Sequence, residues 1–226
     1  MQLETTLKNG LRATIRPISP VDKWRLQEGL KALSPESRYR RFFREVDHFT
    51  AEQLTYLTEV DGTNHVAWIA LDAEHVDSPG LGVARWIRIS EEPTSAEAAV
   101  TVLDQWHGQG LGSTLMWLLA KSAIENGVTH FRVWTLGENL PLLRLLQGFG
   151  VKPRNWEAGV AELLVPLPAS LDDLSQTPAP LILRATATGE LLGRARPDAE
   201  LGTELEPGST NRAGGGSTTE LRRAGA

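Results

Sequence analysis

Alternation of apolar and polar residues predicts a series of short strands in the first part of the chain. From Leu11 to Arg16 the residues alternate, with Ala13 and Ile15 on one face. Comparable runs predict further strands over 66–71, 82–89, 96–103, 129–135 and 157–165. A period of two residues is typical of strands that bury one face, so we expect these segments to share a sheet.

Helix-start signals lie between several of these strands. Ser19 suits an N-cap and Pro20 suits the first helical position, which predicts a helix that runs to about residue 33. Similar signals at Ser34 and Thr50 predict two more helices, and apolar periodicity predicts helices over 111–125 and 139–147. The order of elements indicates a mixed α/β domain, with one sheet covered by helices.

Aromatic residues divide the chain into two parts. All seven Trp, both Tyr and all five Phe lie within residues 1–168, whereas Pro, Ala, Gly, Ser and Thr dominate from Ala169 onward. A segment of that composition buries too little apolar area to offset its ordering entropy. We therefore expect a folded domain over 1–168 and a disordered tail over 169–226. A solvated extension is favoured over a regulatory or tethering role.

The composition limits which binding partners and which cellular compartment are expected for this protein. The net charge of −5 favours neither a nucleic-acid surface nor an anionic membrane as partner. No signal peptide is visible at the N-terminus, and no apolar run approaches the length of a membrane span. The chain has no Cys, which excludes disulfides and a cysteine nucleophile. We expect a cytoplasmic protein without a metal site, because no pair of histidines has metal-ligand spacing.

Three alternating glycines lie where the strand 96–103 passes into the helix that begins near residue 111. Gly108, Gly110 and Gly112 leave main-chain N–H groups open to an anion, and the helix dipole favours negative charge there. The register fits neither a P-loop, which needs Gly-Lys-Ser/Thr, nor the dinucleotide fingerprint G-x-G-x-x-G. The pattern predicts a different phosphate site. The alternative is that the glycines only build a tight turn.

The segment His107-Gly108-Gln109-Gly110-Leu111-Gly112 resembles the Gln/Arg-x-x-Gly-x-Gly/Ala signature of the GCN5-related N-acetyltransferase (GNAT) family. The resemblance covers about residues 10–166. It departs from the family at His107, where Gln or Arg is usual, and at Gly150-Val151, where Gly-Phe is usual. Within this family, the segments 33–43 and 96–99 resemble the acetyltransferase domain of bacterial Pat-type protein lysine acetyltransferases.

This resemblance implies a mixed, mostly antiparallel sheet flanked by helices, with acyl-CoA in a V-shaped gap between the strands 96–103 and 129–135. The pantetheine arm of acetyl-CoA would pair with the main chain near Val100, Thr101 and Val102. The remaining cofactor contacts would come from the strand-to-helix loop and the first helical turn, at His107, Gly108, Gln109, Gly110, Leu111, Gly112 and Ser113.

His107 and Asn139 are two residues for which the resemblance implies a contact with the cofactor. A neutral His107 still donates one hydrogen bond, so we expect cofactor affinity to fall or to become pH dependent. Asn139 would contact the pantetheine or the adenine side of the cofactor, and an N-cap of the next helix is its equally favoured alternative role.

Acyl transfer to an amine needs an uncharged nucleophile, and a lysine ammonium with a pKa of about 10.4 must first lose a proton. Glu97, at the start of the strand 96–103, is the candidate base, and it matches the glutamate that the Pat-type resemblance marks. Alternation places it on the same face as Ala99 and Thr101. The alternative is a solvated carboxylate at a strand end.

The tyrosine that many family members use as general acid has no counterpart, because the matching position holds Leu146 or Arg144. A thiolate with a pKa near 8.5 leaves without full protonation, so a general acid is helpful rather than obligatory. Direct attack in a ternary complex is expected, because no Cys and no Ser-His pairing suggests a covalent intermediate. The first hypothesis for the acceptor is a protein lysine, for example on an acyl-CoA synthetase. The alternatives are a small amine, or a non-catalytic module that senses acyl-CoA.

Arginines surround the stripe of Tyr39 and Phe42 in the second predicted helix, at Arg38, Arg40, Arg41 and Arg44. A solvated helix face is the favoured interpretation. The alternative is a site for an acidic substrate or for the 3′-phosphate of coenzyme A.

Overall fold

A computed structural model describes residues 2–42, 44–75, 77–138, 140, 143, 144, 147, 151–170 and 173. Within these ranges eight strands form one sheet, in the order β1-β2-β3-β4-β5-β6-β8-β7. The strands are β1 Leu3–Thr6, β2 Arg12–Pro17, β3 His65–Asp72, β4 Gly82–Ile89, β5 Glu92–Val102, β6 His130–Leu136, β7 Pro153–Glu157 and β8 Val160–Pro166. Neighbours pair antiparallel except β5 and β6, which are parallel. The expected mixed, mostly antiparallel sheet is confirmed.

Helices cover both faces of this sheet. They are α1 Lys23–Ala32, α2 Pro35–Phe42, α3 Ala51–Thr58 and α4 Leu111–Glu125, with short 3-10 turns at Pro20–Asp22 and Asp104–Trp106. α4 packs on the face that presents Trp86, Ala98 and Val100. α1, α2 and α3 lie over the opposite face, where Ile69 and Val83 meet Leu26 of α1.

α4 is apolar around most of its circumference, and most of its residues are buried. Leu111, Leu115 and Leu119 are fully buried in the main core. Trp86 of β4 packs in the same core, and its indole Nε1 donates a 2.9 Å hydrogen bond to the Ser122 hydroxyl. The bond satisfies a polar group that burial would otherwise leave costly, so α4 is fixed against the centre of the sheet.

The structure differs from the sequence-based strands at three places. β1 was not expected, since Leu3–Thr6 carries one apolar residue and pairs as an edge strand with β2. β5 begins at Glu92 rather than Ala96, because Pro93 and Thr94 continue the extended strand. The single strand expected over 157–165 is wrong at its start. A hairpin turns at Ala158 (φ 46°) and Gly159 (φ 81°), so β7 ends where that strand was expected to begin.

Two expectations fall mainly outside the described residues. In the helix expected over 139–147, the described positions Leu140, Leu143, Arg144 and Gln147 are helical. Asn139 lies outside the described residues, as does the expected tail apart from residues 169, 170 and 173.

Candidate active site

The sheet splits between β5 and β6. The two strands pair at only three positions, Ser95 with His130, Ala96 with Phe131 and Glu97 with Arg132. β5 then continues to Val102 and β6 to Leu136, and the described residues of the two strands share no further pairs. β5 remains paired with β4 along its other edge. The edge of β5 that faces β6 is therefore open from Ala98 to Val102.

The glycine loop lies at the wide end of this gap, directly after β5. Gly108 and Gly110 adopt left-handed φ values of 73° and 91°, a conformation that few other residues tolerate. Within the described ranges the N–H groups from Gly108 to Gly112 donate no hydrogen bond, and the first helical bond runs from Thr114 N–H to the Gly110 carbonyl. A Cβ at Gly110 would meet nothing within 4 Å. The loop is an open cradle of main-chain donors.

His107 connects this loop to the end of β5. Its Nε2 lies 2.9 Å from the Val102 carbonyl oxygen. A carbonyl only accepts, so Nε2 carries the hydrogen and Nδ1 holds a lone pair in the neutral ring. The one donor of a neutral His107 is thus used within the protein. Only a protonated ring has a second N–H to offer to a phosphate.

Asp104, in the turn after β5, fastens the start of α2 to the glycine loop. Its carboxylate accepts hydrogen bonds from the Ser34 N–H (2.9 Å), the Ser34 hydroxyl (2.9 Å) and the Ser37 hydroxyl (2.6 Å). Burial alone would raise the pKa of Asp104, but these bonds outweigh burial and hold the pKa below its usual range. Sequence reasoning missed this role, because the partners lie about 70 positions away.

Glu97 lies at the last paired position of β5, where the gap begins to open. Its residue surface is only 6% exposed, so the alternative of a solvated carboxylate is wrong. The residue also lies well inside β5, which begins at Glu92. In the register with β4, Glu97 lies opposite Ile87 and Ala99 lies opposite Arg85. Ala99 and Thr101 line a cavity together with residues of α1. The face that Glu97 is expected to share with Ala99 and Thr101 therefore points toward α1. A buried carboxylate at this point is suited to hold and release a proton.

The four arginines of the second helix and its end do not form one solvated patch. Arg41 is buried, and its Nε donates a 3.0 Å hydrogen bond to the Thr101 hydroxyl of β5. Arg38 pairs with Asp47 and Arg40 with Glu36. The interpretation as a uniformly solvated face is wrong for Arg41. The reason is that α2 turns Arg41 and Phe42 inward and leaves Tyr39 half exposed.

The structure brings most of the expected site residues together. Val100, Thr101 and Val102 border the open edge of β5, and His107 to Ser113 follow at its wide end. Among the described residues there is no group of three or more His, Asp or Glu that could hold a metal ion. The described part of the chain likewise has no helix that is long and apolar enough to cross a membrane.

The gap between the parallel strands β5 and β6, with main-chain N–H groups at its wide end, has the shape and the donors that suit an extended, anionic ligand. The model of the acetyltransferase (GNAT) family matches residues 21–151. The chain belongs to this family.

Two curated relatives are similar to this chain. Acetyltransferase Pat of Mycolicibacterium smegmatis is 34% identical over 154 residues, which cover 68% of this chain and 45% of that protein. Acetyltransferase PA5475 of Pseudomonas aeruginosa is 32% identical over 122 residues, which cover 54% of this chain and 65% of that protein. This chain therefore spans less than two thirds of the length of either relative.

Solved structures agree with this family membership. The GNAT domain of S. lividans PAT superposes with a TM-score of 0.63 at 28% identity, over 74% of this chain and 97% of that domain. A cAMP-binding acyltransferase from Mycobacterium smegmatis superposes with a TM-score of 0.52 at 28% identity, over 84% of this chain and 54% of that protein.

Proposed function

We propose that this chain transfers an acetyl group from acetyl-CoA to a primary amine, and that the acceptor is a protein lysine. One observation carries the proposal. The open edge of β5 leads from a buried carboxylate, Glu97, to the main-chain N–H groups of residues 108–112, which donate no hydrogen bond to any residue that the structure describes. A thioester, an extended arm and a diphosphate follow one another in acetyl-CoA in the same order.

The length of the gap supports this assignment. From Glu97 to Val102 the strand advances five residues, or about 16 Å. The pantetheine arm has thirteen bonds between its sulfur and the nearest phosphorus, and spans roughly 15 Å when extended. An arm that pairs with the open edge at Val100, Thr101 and Val102 would bring its diphosphate to the glycine cradle. Side chains larger than Gly at 110 would project into the space that the cradle leaves open.

The proposed reaction is a direct transfer in a ternary complex. Glu97 accepts a proton from the acceptor ammonium, directly or through a water, and the neutral amine attacks the thioester carbonyl carbon. The C–N bond forms, the C–S bond breaks, and the nitrogen gives up its remaining extra proton to the departing thiolate, directly or through water, so that coenzyme A leaves as the thiol. No covalent intermediate on the protein is needed.

A protein lysine is proposed as acceptor because of similarity to Pat proteins, whose acetyltransferase domain this chain resembles. An acyl-CoA synthetase is the first candidate to test as a substrate. Incubation with acetyl-CoA followed by mass spectrometry would show acetylated lysines on the synthetase. Acetylation of small amines alone would contradict the protein acceptor and leave the acyltransferase reaction standing.

Glu97→Gln tests the role of the base with an isosteric side chain that cannot accept the proton. We expect thiol release from acetyl-CoA with lysine peptides to fall at least tenfold, because general base catalysis contributes about 100-fold or more. Binding of coenzyme A, measured by calorimetry, should persist. The matched control is Glu91→Gln, since Glu91 is an exposed carboxylate in the loop before β5.

Full activity of Glu97→Gln across the pH range would contradict the assignment of the base. No thiol release from the unaltered protein with any amine, while coenzyme A still binds, would instead identify a non-catalytic acyl-CoA sensor.

A further inference from the structure

A cavity of about 80 Å³ lies between α1 and the sheet, on the face of β5 that carries Glu97. One wall is formed by Leu26, Gly29 and Leu30 of α1 together with Leu33, which directly follows the helix. The opposite wall is the surface of β3, β4 and β5, and Phe42 of α2 contributes to a side. The family signature does not involve these residues, and the mechanism above does not use the cavity.

The cavity adjoins the gap between β5 and β6. Ala99 and Thr101 line it, and both lie on β5 beyond the last residue that pairs with β6. Glu97 lies two residues before Ala99 on the same face of β5. A group attached to a thioester near Glu97 would therefore have the cavity as its adjacent free space.

Gly29 has no conformational reason to be a glycine. It lies inside α1, where glycine costs about 1 kcal/mol relative to alanine, and its φ is in the ordinary helical range. A Cβ at this position would meet nothing within 4 Å, so no close neighbour excludes a side chain. What the missing side chain provides is room in the cavity wall.

The chemistry of the lining favours an apolar occupant. Most of the lining side chains are aliphatic or aromatic, and the charged residues among them are Arg25, Arg41 and Arg85, all of them cationic. The positive charges of Arg41 and Arg85, whose guanidinium groups bond the lining residues Thr101 and Leu57, disfavour a lysine ammonium inside the cavity. A hydrocarbon chain is stabilised by burial against the apolar surface, and it carries no charge that the arginines could repel.

We propose that this cavity takes the acyl chain of the donor, so that the protein uses straight-chain acyl-CoA donors longer than acetyl-CoA, from butyryl-CoA to hexanoyl-CoA. The inference rests on the proposed function, because it needs the thioester to lie beside Glu97. It adds the donor chain length, which the glycine cradle and the base do not determine.

Titration calorimetry on the full chain tests the inference without knowledge of the acceptor. Coenzyme A, acetyl-CoA, butyryl-CoA and hexanoyl-CoA are titrated separately. We expect hexanoyl-CoA to bind at least tenfold more tightly than acetyl-CoA, since each buried methylene group favours binding about threefold to fourfold. Butyryl-CoA should lie between the two.

Gly29→Leu fills the cavity from the α1 wall. We expect the ratio of the affinity for hexanoyl-CoA to that for coenzyme A to fall at least tenfold. Ala32→Leu is the matched control, because Ala32 is exposed on the same helix, and its ratio should equal that of the unaltered protein. Gly29→Ala, a substitution that favours the helix and so preserves folding, should give a smaller decrease in the same direction.

The outcomes separate this inference from the proposed function. Absence of binding by coenzyme A and acetyl-CoA would overturn the proposed function. Binding of both with no gain for hexanoyl-CoA, or the same affinity ratio in Gly29→Leu and Ala32→Leu, would overturn the acyl-chain cavity alone. Tighter binding of succinyl-CoA than of butyryl-CoA would also overturn it, because the arginines rather than the apolar walls would then select the chain.

Discussion

Asp22 illustrates how single residues fix the elements that cover the site. Its carboxylate is 0% exposed and forms two 2.7 Å bonds with the Arg16 guanidinium of β2, and it also accepts the Ser19 N–H. Burial alone would raise the pKa of Asp22, but the bonds from Arg16 and Ser19 outweigh burial and the pKa is lowered. This pair joins the start of α1 to the sheet.

Asp22→Asn removes that charge and leaves the Arg16 guanidinium without its ionic partner. We expect a loss of about 3 kcal/mol in the free energy of unfolding at pH 7, measured with urea. Since the folded pKa of Asp22 is lowered, the contribution is present above the ordinary carboxylate pKa near 3.9 and decreases as the pH falls below about 4. Asp77→Asn, at an exposed position, is the control, and equal stability of both variants at pH 7 would contradict the account.

His65 is a second residue that links stability to pH. Burial and the neighbouring positive charge of Arg85, whose Nη1 lies 3.0 Å from Nε2 of His65, lower the pKa of His65 to about 3. The unfolded chain protonates this histidine near pH 6.5, but the folded protein does not, so stability falls as the pH decreases from about 6.5 toward 3.

His65→Gln keeps an acceptor for Arg85 and removes the titration. Relative to this variant, the unaltered protein should lose about 1.4 kcal/mol of unfolding free energy per pH unit between roughly pH 6 and pH 4. Parallel stability curves of the two proteins over this range, measured by urea unfolding, would show that His65 is not held neutral.

Among the elements, those with a dense apolar pattern were predicted accurately. The bounds of β4 and α4 are confirmed at Gly82–Ile89 and Leu111–Glu125, because burial of β4 and α4 at the centre of the fold dictates their composition. The edge strand β1 was missed because its polar residues form a strand only through pairing with β2. The turn at Ala158 was missed because alanine rarely adopts a positive φ.

Substitution by alanine at two glycines with equally open surroundings should change the free energy of unfolding in opposite directions. A Cβ meets nothing within 4 Å at Gly29 in α1 or at Gly127 after α4, but Gly127 has a φ of 76°. Gly29→Ala should raise the free energy of unfolding by about 0.5–1 kcal/mol, because alanine loses less backbone entropy in a helix. Gly127→Ala should lower it by about 1 kcal/mol through backbone strain. Thermal unfolding measures both, and destabilisation by Gly29→Ala would contradict the description of this wall.

At the scale of the whole molecule, the site depends on contacts that local sequence patterns do not contain. The motif predicted a phosphate cradle at Gly108 and Gly110, and the family resemblance implied the gap. The extent of the β5–β6 pairing, which ends at Glu97, follows from how two strands separated by a helix pack on a shared sheet. The bond between Asp104 and Ser37 and the cavity under α1 likewise arise only when distant segments meet. The contacts expected at the site residues stay predictions.

The central claim is that the main-chain N–H groups of the glycine loop bind the diphosphate of coenzyme A. Titration calorimetry with coenzyme A tests it on the unaltered protein, Gly110→Asp and Gly110→Asn. Asn and Asp are matched in size and both tolerate the left-handed φ of 91° better than other side chains, so their difference isolates the negative charge. We predict binding by the unaltered protein and at least tenfold weaker binding by Gly110→Asp than by Gly110→Asn. No heat with millimolar coenzyme A, or equal affinities of the two variants, would contradict the claim.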